Sequence, residues 1–173
     1  MPIVYDKSRK IFHLQAGDTS YIMQIVKEKY LVHLYWGRRI SSYHESRRII
    51  WKDRGFAPNP DTSDRTFSLD TLPQEYPQTG NGDFRNPAYG IRQENGSRIS
   101  NLEYIGYEIS DGKPKLPGLP ASSGSKKDVQ TLKVYMEDAV AGLKVCLLYS
   151  VFASESVITR SVIFLNKGKS RCI

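Results

Sequence analysis

The sequence predicts an all-β fold: an antiparallel β-sandwich of two packed sheets that carries one long, ordered, irregular loop. Three observations predict it. Short runs of β-branched and aromatic residues recur between turn residues along most of the chain. No segment keeps a helical period over a useful length, Tyr43 to Lys52 being the one short candidate. Between Trp51 and Ala88 the chain reads WKDRGFAPNPDTSDRTFSLDTLPQEYPQTGNGDFRNPA, which holds neither period for long. Irregular connections of that length are usually functional or disordered. Disordered tracts are poor in aromatics, whereas this one holds Trp51, Phe56, Phe67, Tyr76 and Phe84 among Asp53, Arg54, Asp64, Arg65, Asp70, Asp83 and Arg85. That mixture suits a packed loop presenting polar groups.

Taken in order, the strands are justified as follows. Ile11–Leu14, Tyr21–Val26 and Tyr30–Trp36 are three early strands, and the breaks at Ala16-Gly17-Asp18 and Glu28-Lys29 suit antiparallel connections. After the loop, Asn95-Gly96 predicts a type I′ hairpin turn between strands at Ala88–Glu94 and Arg98–Ile109. On the return strand Ile99, Asn101, Glu103, Ile105, Tyr107 and Ile109 share one side, and Ser100, Leu102, Tyr104, Gly106 and Glu108 the other. Ser110–Pro114 is a turn, and Leu116–Lys127, rich in Pro, Gly and Ser, is an exposed loop. Val129–Met136 places Leu132, Val134 and Met136 on one face. Leu143–Phe152 places Val145, Leu147, Tyr149 and Val151 on one face, with Leu148 and Phe152 on the other. Val157–Leu165 is apolar on both faces, and Asn166-Lys167-Gly168 is a turn leading into Ser170–Ile173, a strand that begins without finishing.

Composition excludes several function classes. At 173 residues, 39% hydrophobic and 25% charged, the chain has the make-up of one globular domain or part of a larger one. No window approaches the roughly 18 apolar residues of a membrane span. The start MPIVYDKSRK reaches charge before any apolar run, unlike a signal peptide, so a cytoplasmic protein is expected. The net charge of +7 is local: Met1–Phe56 holds 11 Lys and Arg against 5 Asp and Glu, the remainder 14 against 13. No recognition motif accompanies it, so a solvated face or an acidic neighbour is expected rather than nucleic acid. Cys146 and Cys172 are too few for a disulfide framework or a zinc cluster, and Cys146 reads as a buried free thiol. His13, His33 and His44 lack metal-ligand spacing, and His13 and His33 are expected to make structural hydrogen bonds. Neither a Gly-rich phosphate loop nor a Ser–His–Asp elbow is present, and no metal or organic cofactor is expected.

One set of strings carries a family likeness. Pro58-Asn59-Pro60-Asp61, Ser63-Asp64-Arg65-Thr66-Phe67-Ser68-Leu69-Asp70-Thr71-Leu72, Gln74-Glu75-Tyr76-Pro77 and Gly82-Asp83-Phe84-Arg85 follow one another. They are flanked by Phe12-His13-Leu14, by Leu31–Gly37, by Glu94-Asn95-Gly96-Ser97 and by Val157-Ile158-Thr159-Arg160-Ser161. The series resembles the amino-terminal domain of bacterial α-galactosidases of glycoside hydrolase family 36, almost from end to end. The resemblance implies that residues 1–173 are that β-sandwich domain, incomplete at its C-terminal end, part of a larger sandwich, with the catalytic (β/α)8 barrel absent. Retaining glycosidases need two carboxyl groups about 5–5.5 Å apart. In the resembled family both are barrel aspartates, so no residue here is assigned as nucleophile or acid, and the chain alone is expected to be inactive.

The resemblance further implies a homo-oligomer, typically a tetramer, in which this domain lends loop residues to a neighbouring subunit's sugar pocket. Asp53 and Arg65 match those substrate-binding positions. A carboxylate accepts bonds from adjacent sugar hydroxyls, and a guanidinium fixes that carboxylate or donates to sugar oxygens. The alternative is a structural Asp–Arg pair that shapes the loop. Asp61 and Asp64 are expected to shape turns by bonding their own backbone. Trp51 is expected to pack or to meet a subunit rather than stack on sugar, and Asp83-Phe84-Arg85 to anchor the loop with Phe84 buried and the charges paired. Three functions stay open: the amino-terminal part of an α-galactosidase acting on melibiose and raffinose-type sugars, a non-catalytic carbohydrate-binding module, and a structural oligomerisation domain.

Overall fold

The computed structural model describes residues 2–44, 49, 53, 55, 59–118 and 121–168. Two antiparallel four-stranded sheets are stacked in chain order. The first is β1 (Ile3–Asp6), β2 (Ile11–Ala16), β3 (Thr19–Val26) and β4 (Tyr30–Arg38). The second is β5 (Glu103–Asp111), β6 (Val129–Asp138), β7 (Leu143–Phe152) and β8 (Val157–Asn166). One 3-10 turn, Leu69–Thr71, interrupts the loop between the sheets. The three early strands and the three late ones stand where the sequence places them. The four-residue β1 is additional, too short to announce itself by period.

Strand periodicity builds the core between the sheets. Phe12, Leu14, Tyr21, Met23, Ile25 and Leu31 of the first sheet meet Leu132, Val134, Val145, Leu147, Tyr149 and Val151 of the second. Burial of each such side chain stabilises the fold by roughly 1.5–3 kcal/mol. Turns close the meander with the residues they need. Between β2 and β3, Gly17 has φ +48°, and a Cβ there would lie 2.8 Å from the Ser156 backbone nitrogen at the β7–β8 turn, so only glycine fits.

From Asn59 onward the loop has a core of its own. Phe67, Leu69 and Leu72 are fully buried against Ile22, Val32 and Leu34, the face of the first sheet turned away from the sandwich. The stretch around Gln74 also runs along the open edge of β4: His33 N donates to Pro73 O at 2.7 Å and Glu75 N to Leu31 O at 3.0 Å. That satisfies an edge that would otherwise present unpaired backbone groups. Further on, Tyr76 and Tyr89 stack at 5.4 Å, and both rings meet Phe164 of β8.

Three expectations are corrected. A turn forms at Asn95-Gly96 but it is not type I′: only Gly96 has positive φ, +85°, and Gly96 N donates to Gln93 O at 2.9 Å, so Glu94 and Asn95 are the central residues, and no strand flanks it. Residues 88–94 form no strand and β5 begins only at Glu103, pairing with β6. The segment is instead tied down by loop contacts: Ser100 N donates to Thr79 O, Ala88 N to Pro77 O, and Leu102 N to the Gln78 side chain. The second correction is the face assignment on β5. A bulge between Tyr104 and Gly106 breaks the alternation, so Tyr104, Tyr107 and Ile109 all pack on the core while Ile105 is exposed. Third, the proposed helix over Tyr43–Lys52 is not seen where it is described: Tyr43, His44 and Ile49 are irregular, and the other residues of that span lie outside the described residues. So do Ser170–Ile173. Among the described residues no helix is long and apolar enough to cross a membrane.

Candidate functional site

Asp53 and Arg65 are brought together. Arg65 Nη2 lies 3.5 Å from Asp53 Oδ1, and both side chains face solvent, 75% and 56% exposed respectively. A pair so exposed adds little to stability, which leaves its polar groups available to a ligand. The backbone carrying Arg65 is fixed from several directions. Asn59 Nδ2 donates to Arg65 O at 3.0 Å, and Asp64 Oδ1 accepts from Thr66 N at 3.0 Å and Thr66 Oγ1 at 2.6 Å. Asp61 Oδ1 accepts from Ser63 N at 3.0 Å and Ser63 Oγ at 2.5 Å. Both aspartates thus make the turn-shaping bonds their sequence context predicts. Their other oxygens hold Lys27 Nζ, 3.1 Å from Asp61 Oδ2 and 2.7 Å from Asp64 Oδ2. Bonds from Lys27 and Thr66 bring the Asp64 carboxyl down to about 2. A glycosidase proton donor needs a raised value, so this carboxylate is unfit for that work.

A second anchor holds the far end of the loop. Gly80 and Asp83 bridge across Asn81 and Gly82, both at positive φ, a tight turn that sends Asp83 inward. Asp83 accepts from Arg85 Nε at 2.9 Å, Arg85 Nη2 at 2.6 Å and Gln74 Nε2 at 2.7 Å. Arg85 also donates to the carbonyls of Leu69 and Leu72. The charges pair as expected. Phe84 does not bury: it is 84% exposed, because the bridge places Asp83 inside and the next residue outside. Trp51 lies outside the described residues.

The polar centre of the molecule is one that sequence reasoning did not single out. Glu75, with its side chain 2% exposed, sits between the sheets. Tyr21 donates to its carboxylate at 2.6 Å, Tyr149 to Oε1 at 2.8 Å, and Arg160 Nη2 lies 3.0 Å from Oε1. His33 Nδ1 stands 3.4 Å from Oε2. Loop, β3, β4, β7 and β8 therefore meet at one carboxylate. Burial, together with Glu75 itself, pushes the Tyr21 and Tyr149 hydroxyls well above the usual tyrosine value. Both residues of the ion pair stand in the strings that carry the resemblance, Gln74-Glu75-Tyr76-Pro77 and Val157–Ser161, which was the available signal.

The remaining candidates are structural. His13 Nε2 bonds Ser20 Oγ at 2.8 Å, as expected of a buried strand histidine. His33 Nδ1 faces Glu75 without a hydrogen-bonded alignment. Cys146 is a buried free thiol whose burial pushes its ionisation up.

Two stacked antiparallel sheets with a packed loop that displays an Asp–Arg pair define a β-sandwich domain. Comparison with known proteins names its family. Residues 29–173 match the glycosyl hydrolase family 36 N-terminal domain, and the chain belongs to that family. The chain is 48% identical over 172 residues to the α-galactosidase AgaA of Geobacillus stearothermophilus, covering 99% of this chain and 24% of AgaA. Its backbone superposes on the crystal structure of the α-galactosidase AgaB from the same organism with a TM-score of 0.91, at 47% identity over 99% of this chain and 23% of AgaB. A variant of AgaA crystallised with raffinose gives a TM-score of 0.89 at 49% identity, covering 94% of this chain and 23% of that one. The chain thus spans about a quarter of the length of the relatives it matches.

Proposed function

We propose that this chain is the amino-terminal β-sandwich part of an α-galactosidase that hydrolyses terminal α-linked galactose from melibiose and raffinose-type sugars. Bond cleavage belongs to a catalytic barrel outside these residues. The contribution of this part is assembly with that barrel and with neighbouring subunits of a cytoplasmic homo-oligomer, and completion of a neighbour's sugar pocket by Asp53 and Arg65. The observation that carries the reading is the exposed Asp53–Arg65 pair, 3.5 Å apart at the surface of a loop packed on its own core. Arg65 presets the carboxylate, Asp53 accepts two sugar hydroxyls, and the remaining guanidinium donors reach sugar oxygens. Pre-organised polar groups lose little entropy when the sugar arrives. The sugar bound to the AgaA variant supports the substrate class.

The test is a chimera in which this chain replaces the matched amino-terminal quarter of Geobacillus AgaA. The chimera is expected to hydrolyse raffinose, and Asp53→Ala and Arg65→Ala to raise its KM by about tenfold each, a loss of about 1.4 kcal/mol of sugar binding. Unchanged KM and kcat in both variants would leave the domain a purely structural role. The isolated chain is expected to show no turnover of an aryl α-galactoside.

A further inference from the structure

The β3–β4 hairpin closes through Lys27 and Glu28, at φ +51° and +61°, with Lys29 N donating to Val26 O at 3.0 Å. Two central residues at positive φ are the mark of a type I′ turn, which Asn-Gly or Gly-Gly adopts with least strain. Here two long side chains occupy it instead. Lys27 sends its ammonium across to the loop, bonding Asp61 and Asp64 and standing 5.5 Å from the Phe67 ring. Glu28 turns the other way, to Lys10. Asp64 immediately precedes Arg65, and Thr66, which follows it, is bonded back to Asp64.

We propose that Lys27 is a positioning residue for the Asp53–Arg65 pair: from a rigid hairpin of the first sheet it fixes the two turns on which Arg65 is mounted. A glycine-free turn is the means of placing an ammonium there, since the residue at that corner is the one whose side chain meets both aspartates. Three links connect sheet to site: the strained turn, the shared ammonium between Asp61 and Asp64, and the Asp64–Thr66 bonds on either side of Arg65. The bond with Asp64 first, and that with Asp61 second, raise the ionisation of Lys27, in keeping with an ammonium shared by two carboxylates. Its bearing on sugar recognition rests on the function proposed above, and the experiment separates the two.

Hydrogen exchange is measured on the 173-residue chain and on its Lys27→Met, Lys27→Arg and Lys27→Asn/Glu28→Gly variants. The amides that report are Thr66 and Phe67, both bonded to Asp64. Lys27→Met is expected to speed their exchange about tenfold while the amides of Gln24 and Val32, paired across β3 and β4, stay protected, and Lys27→Arg to restore most of the protection. The double variant has an easier turn but no anchor, so it is expected to keep the hairpin and lose the loop. Loop protection equal to wild type in Lys27→Met or in the double variant overturns the proposal. In the AgaA chimera Lys27→Met is expected to raise KM about threefold or more with kcat within about twofold, and Lys27→Arg to recover it. Faster loop exchange with an unchanged KM would sustain the positioning role and remove the sugar-binding one.

Discussion

The Glu75 carboxylate and the Arg160 guanidinium meet at 3.0 Å between the two sheets, one carried by the loop and the other by the last strand. Their surroundings are unequal. Glu75 is shut in with two tyrosine hydroxyls aimed at it, while the Arg160 side chain is 43% exposed and lies over the Tyr149 ring at 5.3 Å. The pair is therefore a buried carboxylate served by a cation that still touches water.

That inequality predicts unequal consequences. Glu75→Ala strands Tyr21, Tyr149 and Arg160 together and should destabilise the chain by about 3–5 kcal/mol. Arg160→Met leaves the carboxylate its two hydroxyl donors and should cost about 1–3 kcal/mol. The double variant should fall short of the sum by about 1–2 kcal/mol, the mark of a shared network. Urea unfolding of the four proteins measures all three, and strictly additive losses would show that the two side chains act separately.

The same cluster predicts sensitivity to alkali. Burial comes first and the Glu75 charge second in pushing Tyr149 up, and Tyr21 is raised for the same two reasons. A group raised in the folded state contributes stability that is whole below its unfolded value, about 10 for tyrosine, and is lost as pH rises beyond it. Thermal melts should hold steady to about pH 9 and fall steeply above about pH 10. Tyrosinate absorbance should rise in step with unfolding for the buried hydroxyls, and Tyr21→Phe should soften that drop. Free titration of every tyrosine in the folded chain would contradict the buried geometry.

How much of this was legible in the sequence depends on whether period or context decides. Val145, Leu147, Tyr149 and Val151 alternate cleanly, and their strand and inward face follow from the pattern alone. The bulge at Tyr104–Gly106 does not follow from it, because Ile105 is as good a strand residue as its neighbours and nothing local says that it is the one left out. Asn95-Gly96 marks the place of a turn but neither its type nor its strands: a tendency to turn is local, whereas pairing requires a partner, and the loop's own contacts claimed the backbone first. Phe84 was misjudged because aromatic residues usually bury, while a two-residue bridge at Gly80–Asp83 fixes which neighbour points inward. Asp53 and Arg65 are candidates through family likeness, whereas the meeting of Glu75 with Arg160 is not legible beyond their place in the matched strings, since only the closed sandwich brings such distant positions together.

Acid should act at the other end of the loop. Burial alone would raise Asp83, but the bonds from Arg85, aided by Gln74, outweigh it and the carboxyl titrates below its usual value. A lowered carboxylate contributes stability that is present above its unfolded value, about 3.9, and is lost as pH falls through the folded one. Asp83→Asn should therefore cost stability at neutral pH and flatten the loss below about pH 4. An acid limb identical in wild type and Asp83→Asn would show that this carboxylate carries none of the pH dependence.

Two phenylalanines in one loop should behave in opposite ways. Phe67 is fully buried beside Tyr30, with ring centroids 5.4 Å apart, in the small core under the loop. Phe84 is displayed to solvent on a frame set by Asp83 and Arg85. Phe67→Ala empties a site whose walls belong to β3 and β4 and cannot collapse freely, so a loss of about 3–5 kcal/mol is expected. Because that core holds the irregular segment down, amides from Asp64 to Leu72 should exchange faster than the strands do. Phe84→Ser removes no buried area and should change stability by less than about 0.5 kcal/mol. It should lower the tendency of the isolated chain to associate, since an exposed ring on a rigid frame is a ready contact point. Sedimentation of both variants alongside wild type reads the second effect and denaturant unfolding the first. Equal destabilisation by the two substitutions would mean that the loop is not held by a core of its own.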